Sequence, residues 1–213
     1  MIYLLNITGY ILKGCTLTIK LYCVTALFSV PMGAICALGK VSKIKPLKLM
    51  LDVYTWLFRG TPLMLQVFFT YFGLPVIGIR LSPFAAAAIT YILNYAAYLT
   101  EIYRAGIESI DRGQYEAAKV LGMNYFQTMY RIILPQTIKR VLPPTCNEAI
   151  NLVKDTALVA AIGMGDLLRN AKEVVTRDFR IVPFFIAAVI YLLMASVLVL
   201  VFKKLEKKFS YME

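Results

Sequence analysis

In the stretch CNEAINLVKDTALVAAIG, residues 146–163, the polar side chains Glu148, Asn151 and Asp155 recur at intervals of three and four. At about 100° per residue they fall in one narrow helical stripe, with Asp155 about 20° from Glu148 and Lys154 rotated away. A carboxylate on such a stripe is a counter-charge for an ammonium or guanidinium, and a carboxamide beside it adds donors and an acceptor. The alternative is an interhelical ion pair, with Arg59 as the candidate cation for Glu148. For Lys154 and Asp155, pairing with neighbouring helices is the preferred reading. In TYILNYAAYLTE, residues 90–101, Asn94 and Tyr98 are four apart and share a face, while Glu101 and Arg104 are spaced for a structural pair. Gln66 stands one turn beyond Pro62, placed either to face the same ligand or to pack tightly. The 213 residues contain no His, no Ser-His-Asp set, no metal-ligand cluster and no G-x-x-x-x-G-K-[ST] run. The polar groups therefore point to binding rather than bond-making.

The elements that position them follow from composition. Hydrophobic residues make up 60% of the chain and charged ones 16%, with a mean hydropathy of +0.69; soluble domains are about 45–50% apolar. The chain is an integral membrane protein. Cys15, Cys23, Cys36 and Cys146 show no C-x-x-C spacing and read as buried free thiols rather than a zinc or disulfide framework. Because a crossing helix needs roughly 20 apolar residues, spans are predicted at about 15–39, 49–72, 83–103, 141–163 and 183–202. Residues 1–14 lack the basic start and small-residue cleavage site of a signal peptide, and are expected to stay on the chain along the membrane surface. Pro62 is expected to kink the second span, with Thr61 capping the segment that follows and Arg59 acting as an anchor.

Charge orients these spans. Fourteen basic residues lie in the connections after the first and third spans and in the tail, against five in the other two connections. Cations collect on the cytoplasmic side, which puts the N-terminus outside and the C-terminus in the cytoplasm. The net charge of +11 is thus a matter of topology and does not imply a nucleic-acid partner.

The same count places QYEAAKVLGMNYFQTMYRIILPQ, residues 114–136, in the cytoplasm. Glu116, Ala117 and Ala118 open a good helix former, Gly122 suits a left-handed terminus, and Asn124 can cap a second helix. In that second helix Tyr125, Phe126, Met129, Tyr130 and Ile133 form one apolar face, and Pro135 is expected to end it. Such a face is a docking surface.

Glu116-Ala117-Ala118, Gly122, Ile132, Leu134 and Pro135 match every fixed position of EAA-x3-G-x9-I-x-LP. In this the chain resembles the permease subunits of ABC importers. Phe58-Arg59-Gly60-Thr61-Pro62-Leu63 with Gln66, Glu101-Ile102-Tyr103-Arg104-Ala105-Gly106-Ile107, and Leu152-Val153-Lys154-Asp155-Thr156 are similar to the subfamily that imports polar amino acids of the histidine, glutamine and arginine type. The resemblance covers about residues 10–205.

It implies an all-α fold of the type I permease kind, in which residues 1–213 form a single domain of five transmembrane helices with a cytoplasmic coupling loop at about 112–136. It further implies a multi-pass protein of a prokaryotic inner membrane that completes its path with a second copy or a paralogue. An extracellular binding protein would deliver the amino acid, and two ABC ATPase subunits would hold ATP and Mg, leaving no cofactor on this chain. In such permeases the coupling loop, here Glu116, Ala117, Ala118, Gly122, Tyr125, Phe126 and Met129, sits in a cleft of the ATPase. The family's amino-acid site falls on the helix of Glu148, where a carboxylate resembles members that take cationic or polar amino acids. Two other classes are weighed beside this one. An ion-coupled secondary transporter or channel would show internal repeats with broken helices, and a membrane enzyme would need residues this chain lacks. Co-purification with an ATPase separates the first class from both.

Overall fold

The computed structural model describes residues 2–210, all their regular elements being helical. In chain order α1 is Ile2–Val41, α2 Lys45–Gly60, α3 Leu63–Phe68, α4 Pro83–Glu108, α5 Arg112–Val120, α6 Tyr125–Thr128, α7 Leu134–Asp155, α8 Leu167–Asp178 and α9 Val182–Ser210. Wide turns at Phe69–Gly73 and Met129–Ile133 carry the helical path on, whereas the tight turns Leu74–Ile77 and Thr156–Ile162 end it at the left-handed residues Gly78 and Gly163.

The N-terminal stretch is not a separate surface helix. It is continuous with the first span, so α1 runs 40 residues, about 60 Å at 1.5 Å per residue against a hydrocarbon core of about 30 Å. The added length is held by α8. Ile11 and Cys15 pack with Leu167 and Ala171, and Gly14 lies so close that a Cβ there would sit 2.5 Å from backbone atoms of Asp166 and Leu167.

The middle of the bundle is α4, whose buried Ala86, Ala87, Ala88, Ala96 and Ala97 let α1 approach closely. Around it Leu21, Val67, Tyr91, Tyr95, Leu152 and Val159 make the main core. By length and composition α1 and α9 can each cross a membrane, and α2 with the segment Leu63–Ile77 makes a third crossing if the pair counts as one span. That pair is bent by 104°, far more than the expected kink. Pro62 forces Thr61 into extended backbone (φ −119°, ψ 145°), which ends α2 outright. Cys23 is exposed rather than buried; Cys15 and Cys36 are half-buried, Cys146 is buried, and all four thiols are free.

Candidate functional site

The break leaves the last carbonyls of α2 without helical partners, and those of Leu57, Phe58 and Arg59 find side chains. Thr61 Oγ1 donates back to Leu57 O at 2.8 Å, so this hydroxyl closes α2 rather than capping α3. Gln66 Nε2 and Asn94 Nδ2 both donate to Phe58 O at 2.9 Å. The Tyr98 hydroxyl reaches Arg59 O at 3.5 Å.

Beside the break lies a cavity of ≈ 470 Å³, walled by Gly60–Leu63, by Asn94, Tyr95 and Tyr98 of α4, and by Glu148, Asn151 and Asp155 of α7. The polar stripe on α7 therefore faces an opening, together with Asn94 and Tyr98 of the α4 pair. Its members are not equivalent. Asp155 Oδ2 accepts from the Tyr95 hydroxyl at 2.7 Å and its carbonyl from Tyr91 at 2.6 Å, the pairing with a neighbouring helix that the sequence suggests. Asn94 is buried with its amide nitrogen spent on Phe58 and Gln66. Gln66 lies outside this cavity wall, its amide nitrogen donating also to Thr61 O at 3.1 Å and Thr61 Oγ1 at 2.7 Å. Glu148 and Asn151 are half-buried and make no hydrogen bond or ion pair among the described residues. They keep their whole hydrogen-bonding capacity for a ligand. Lys154 is exposed and likewise makes no ion pair there, against the expectation of a helix-pairing role.

Arg59 also lines the cavity and is not paired with Glu148. Its Nη1 is 3.8 Å from Glu101 Oε2, and its guanidinium lies 5.5 Å from the centroid of the Tyr98 ring. By sequence Arg59 is an anchor, and Tyr95 is one of the polar residues of the third span, with no role of its own. Tyr95 adjoins Asn94, about 100° round the helix, and nothing in the periodicity shows that Asp155 would meet it.

Below the cavity, Glu101 collects cations from three helices. Arg104 donates to it through Nε at 3.0 Å and Nη2 at 2.8 Å, and Lys40 is bonded to it as well. Lys40, 5% exposed, also meets Asp52 at 2.7 Å and Thr55 at 2.9 Å. Lys40 is thus a buried tie between α1, α2 and α4, not a loop cation.

A larger cleft of ≈ 750 Å³ lies between Met64, the 156–162 turn and α8, but Arg169 and Glu173 there are paired at 3.0 Å. Hydrogen bonds from Tyr10 and then Arg169 hold the Glu173 carboxyl below its usual range. Hydrogen bonds from Arg177 and then Tyr3 hold Asp178 down to about 2.

The 112–136 segment folds as two capped pieces. Asp111 caps α5 through Gly113 N at 2.7 Å. Gly122 (φ +72°) closes α5, its N–H meeting Lys119 O and the Met123 N–H meeting Ala118 O, both at 3.0 Å. Asn124 and Gln127 form a reciprocal capping box for α6. Pro135 does not stop the helix. Its ring falls in the first turn of α7, after a π turn has already displaced the regular bonding, so the helical path runs on to Asp155. The expected apolar face is divided. Met129 and Ile133 are buried against Ile107 and Ile110, whereas Tyr125, Phe126 and Tyr130 stand exposed beside Val120 and Leu121. Glu116 and Ala117 are exposed and Ala118 is buried.

A broken helix beside a polar cavity, inside an apolar helical bundle that also carries a capped loop with bare aromatic rings, defines a membrane transport component. The family model described as "Binding-protein-dependent transport system inner membrane component" matches residues 29–211, and the chain belongs to that family. It is 40% identical over 201 residues to the arginine transport system permease protein ArtQ of Bacillus subtilis (strain 168), covering 93% of this chain and 92% of that one. A putative glutamine transport system permease protein GlnP of Rickettsia felis is 39% identical over the same share of each chain. Among solved structures, an amino acid ABC transporter crystallised with histidines superposes with a TM-score of 0.90 at 36% identity, covering 97% of both chains. The MetNI methionine ABC transporter in an inward-facing conformation shares the fold, with a TM-score of 0.75 at 15% identity over 94% of this chain and 96% of that one. These relatives are transport components of ABC importers, not enzymes.

Proposed function

We propose that this chain is the membrane-spanning subunit of an ATP-driven importer of polar amino acids with a preference for cationic ones. Five spans, one made by the broken pair α2–α3, form one half of a path that a second copy or paralogue completes. The N-terminus lies outside and the C-terminus in the cytoplasm. An extracellular binding protein delivers the amino acid. Two ATPase subunits carry ATP and Mg, and they dock on the exposed rings of Tyr125 and Phe126, with Glu116, Ala117 and the Gly122 turn shaping that surface. Arginine and glutamine, named for two relatives of nearly equal identity, are the substrates to compare.

The observation that carries the reading is the half-buried Glu148 carboxylate, unpaired beside Asn151 in a cavity within an apolar bundle. A carboxylate so placed is costly without a cation. Arg59, which borders the same cavity, stands against Glu101 and makes no ion pair with Glu148, which leaves the Glu148 acceptor sites for a substrate's ammonium or guanidinium.

Isothermal binding to the detergent-purified permease–ATPase complex tests it. Glu148→Gln keeps the shape and loses the charge. Arginine affinity is expected to fall at least about tenfold, one charge-assisted contact of roughly 1.5–3 kcal/mol, while glutamine affinity changes by less than about threefold. Equal affinities in variant and parent would remove Glu148 from the substrate site. An unstable variant rescued by Arg59→Gln would assign it to a structural pair.

A further inference from the structure

We propose that Gln66 and Asn94 are positioning residues that form a polar latch across the α2–α3 break, and that they act on transport through this bend rather than by touching substrate. The inference rests on the reading of the adjoining cavity as the substrate path.

An unbroken helix would satisfy Phe58 O with the N–H of residue 62. Residue 62 is proline and has none. The vacancy is filled by two side-chain amides from different elements, Gln66 Nε2 and Asn94 Nδ2, each at 2.9 Å. The two amides are also joined, Asn94 Nδ2 donating to Gln66 Oε1 at 3.0 Å, and Gln66 grips both the carbonyl and the hydroxyl of Thr61. Gln66 is therefore bonded on both sides of its amide, and Asn94 is 4% exposed. Neither has a donor left for a ligand, and Asn94, which borders the cavity, keeps only its Oδ1 without a hydrogen bond among the described residues.

The latch defines geometry. It fixes α4 to the end of α2 at the point where the chain turns by 104°, and the turn itself, Gly60–Leu63, is one wall of the cavity. In an apolar bundle a freed carbonyl without water has no other partner. Losing the latch would leave Phe58 O bare and the wall unsupported.

A substrate contact and a latch predict different couplings with Pro62. Pro62→Ala restores the N–H and frees residue 61 from its extended conformation, which gives Phe58 O a partner of its own. Gln66→Leu in the parent is expected to lower the melting midpoint of the purified complex by roughly 5 °C and to weaken arginine binding together with it. In the Pro62→Ala background the same change is expected to lower the midpoint by less than half as much. Equal losses in both backgrounds would overturn the latch, as would a Gln66→Leu protein that melts normally yet binds arginine weakly, the signature of direct contact. Because melting does not depend on which ligand the cavity takes, failure of the substrate reading alone would leave the coupling with Pro62 intact. Gln66→Glu supplies a second comparison, since it keeps the acceptor for Asn94 and removes the donors to Phe58 and Thr61. It is expected to melt like Gln66→Leu, and a parent-like midpoint would contradict the latch.

Discussion

Lys40 illustrates how much a single buried charge depends on its neighbours. With 5% exposure it meets Asp52, Thr55 and Glu101, and Glu101 in turn holds Arg104 and faces Arg59. Removing one partner of such a group leaves the others uncompensated, at a cost of about 3–5 kcal/mol when nothing replaces it. Glu101 keeps Arg104, so Lys40→Met is expected to cost roughly 3 kcal/mol, read as a lowered melting midpoint in detergent. In a double-mutant cycle with Glu101→Gln, the double variant should lose less stability than the two single variants summed; a loss equal to that sum would show that the pair is not coupled. Of this group the sequence exposes only the Glu101–Arg104 spacing, because two residues one helix turn apart are visible in a string. Lys40 and Asp52 are joined across two helices, and a lysine at the end of an apolar run reads as a topology marker. The same limit explains Gln66 and Asn94. Their polarity within apolar runs marks them as important, while the vacancy they fill belongs to Phe58, a residue with no polar side chain at all.

At the scale of elements, local chemistry was legible and its continuation was not. The Gly122 turn and the Asn124 cap follow from residue types alone, and both are present; the first helix begins at Arg112, a turn before Glu116, because Asp111 caps it there. The end at Pro135 failed because a π turn precedes it, placing the proline where a missing N–H costs nothing. The 104° bend exceeded a proline kink because Thr61 is restricted by Pro62 and because the side-chain amides of Gln66 and Asn94 hold the open form. The division of the α6 face, rings outward and Met129 and Ile133 inward, reflects packing on Ile107 and Ile110 that periodicity does not contain. This division sharpens the coupling prediction. Gly122→Asp strains a left-handed residue that faces open space, at about 1–2 kcal/mol, and Phe126→Asp alters a ring that is 82% exposed. Both proteins are expected to enter the membrane and melt within a few degrees of the parent, while pull-down of the ATPase and ATP-driven uptake drop at least about tenfold. Normal uptake by both variants would remove the docking role from this surface.

For the whole molecule, the fold and the family were open to sequence reasoning because apolar runs and a spaced motif are both linear features. The number of crossings is harder. α4 and α7 carry the polar groups that line the cavity, and this dilutes the apolar signal by which a span is recognised. The helices that line the cavity are therefore the ones least visible as apolar runs. α9 shows the converse, an apolar helix with Leu192, Leu193, Val197 and Leu200 left bare by the rest of the chain. The central claim joins these levels: a carboxylate on α7 selects a cation that the coupling surface helps ATP to move. Its most direct test is uptake by proteoliposomes holding the permease, its ATPase and its binding protein, with labelled arginine and glutamine offered in turn. The parent is expected to accumulate arginine only when ATP is supplied to the ATPase. Glu148→Gln is expected to reduce arginine uptake at least about tenfold and to leave glutamine uptake within about threefold. Arginine uptake that persists without ATP, or that is untouched by Glu148→Gln, would contradict the account.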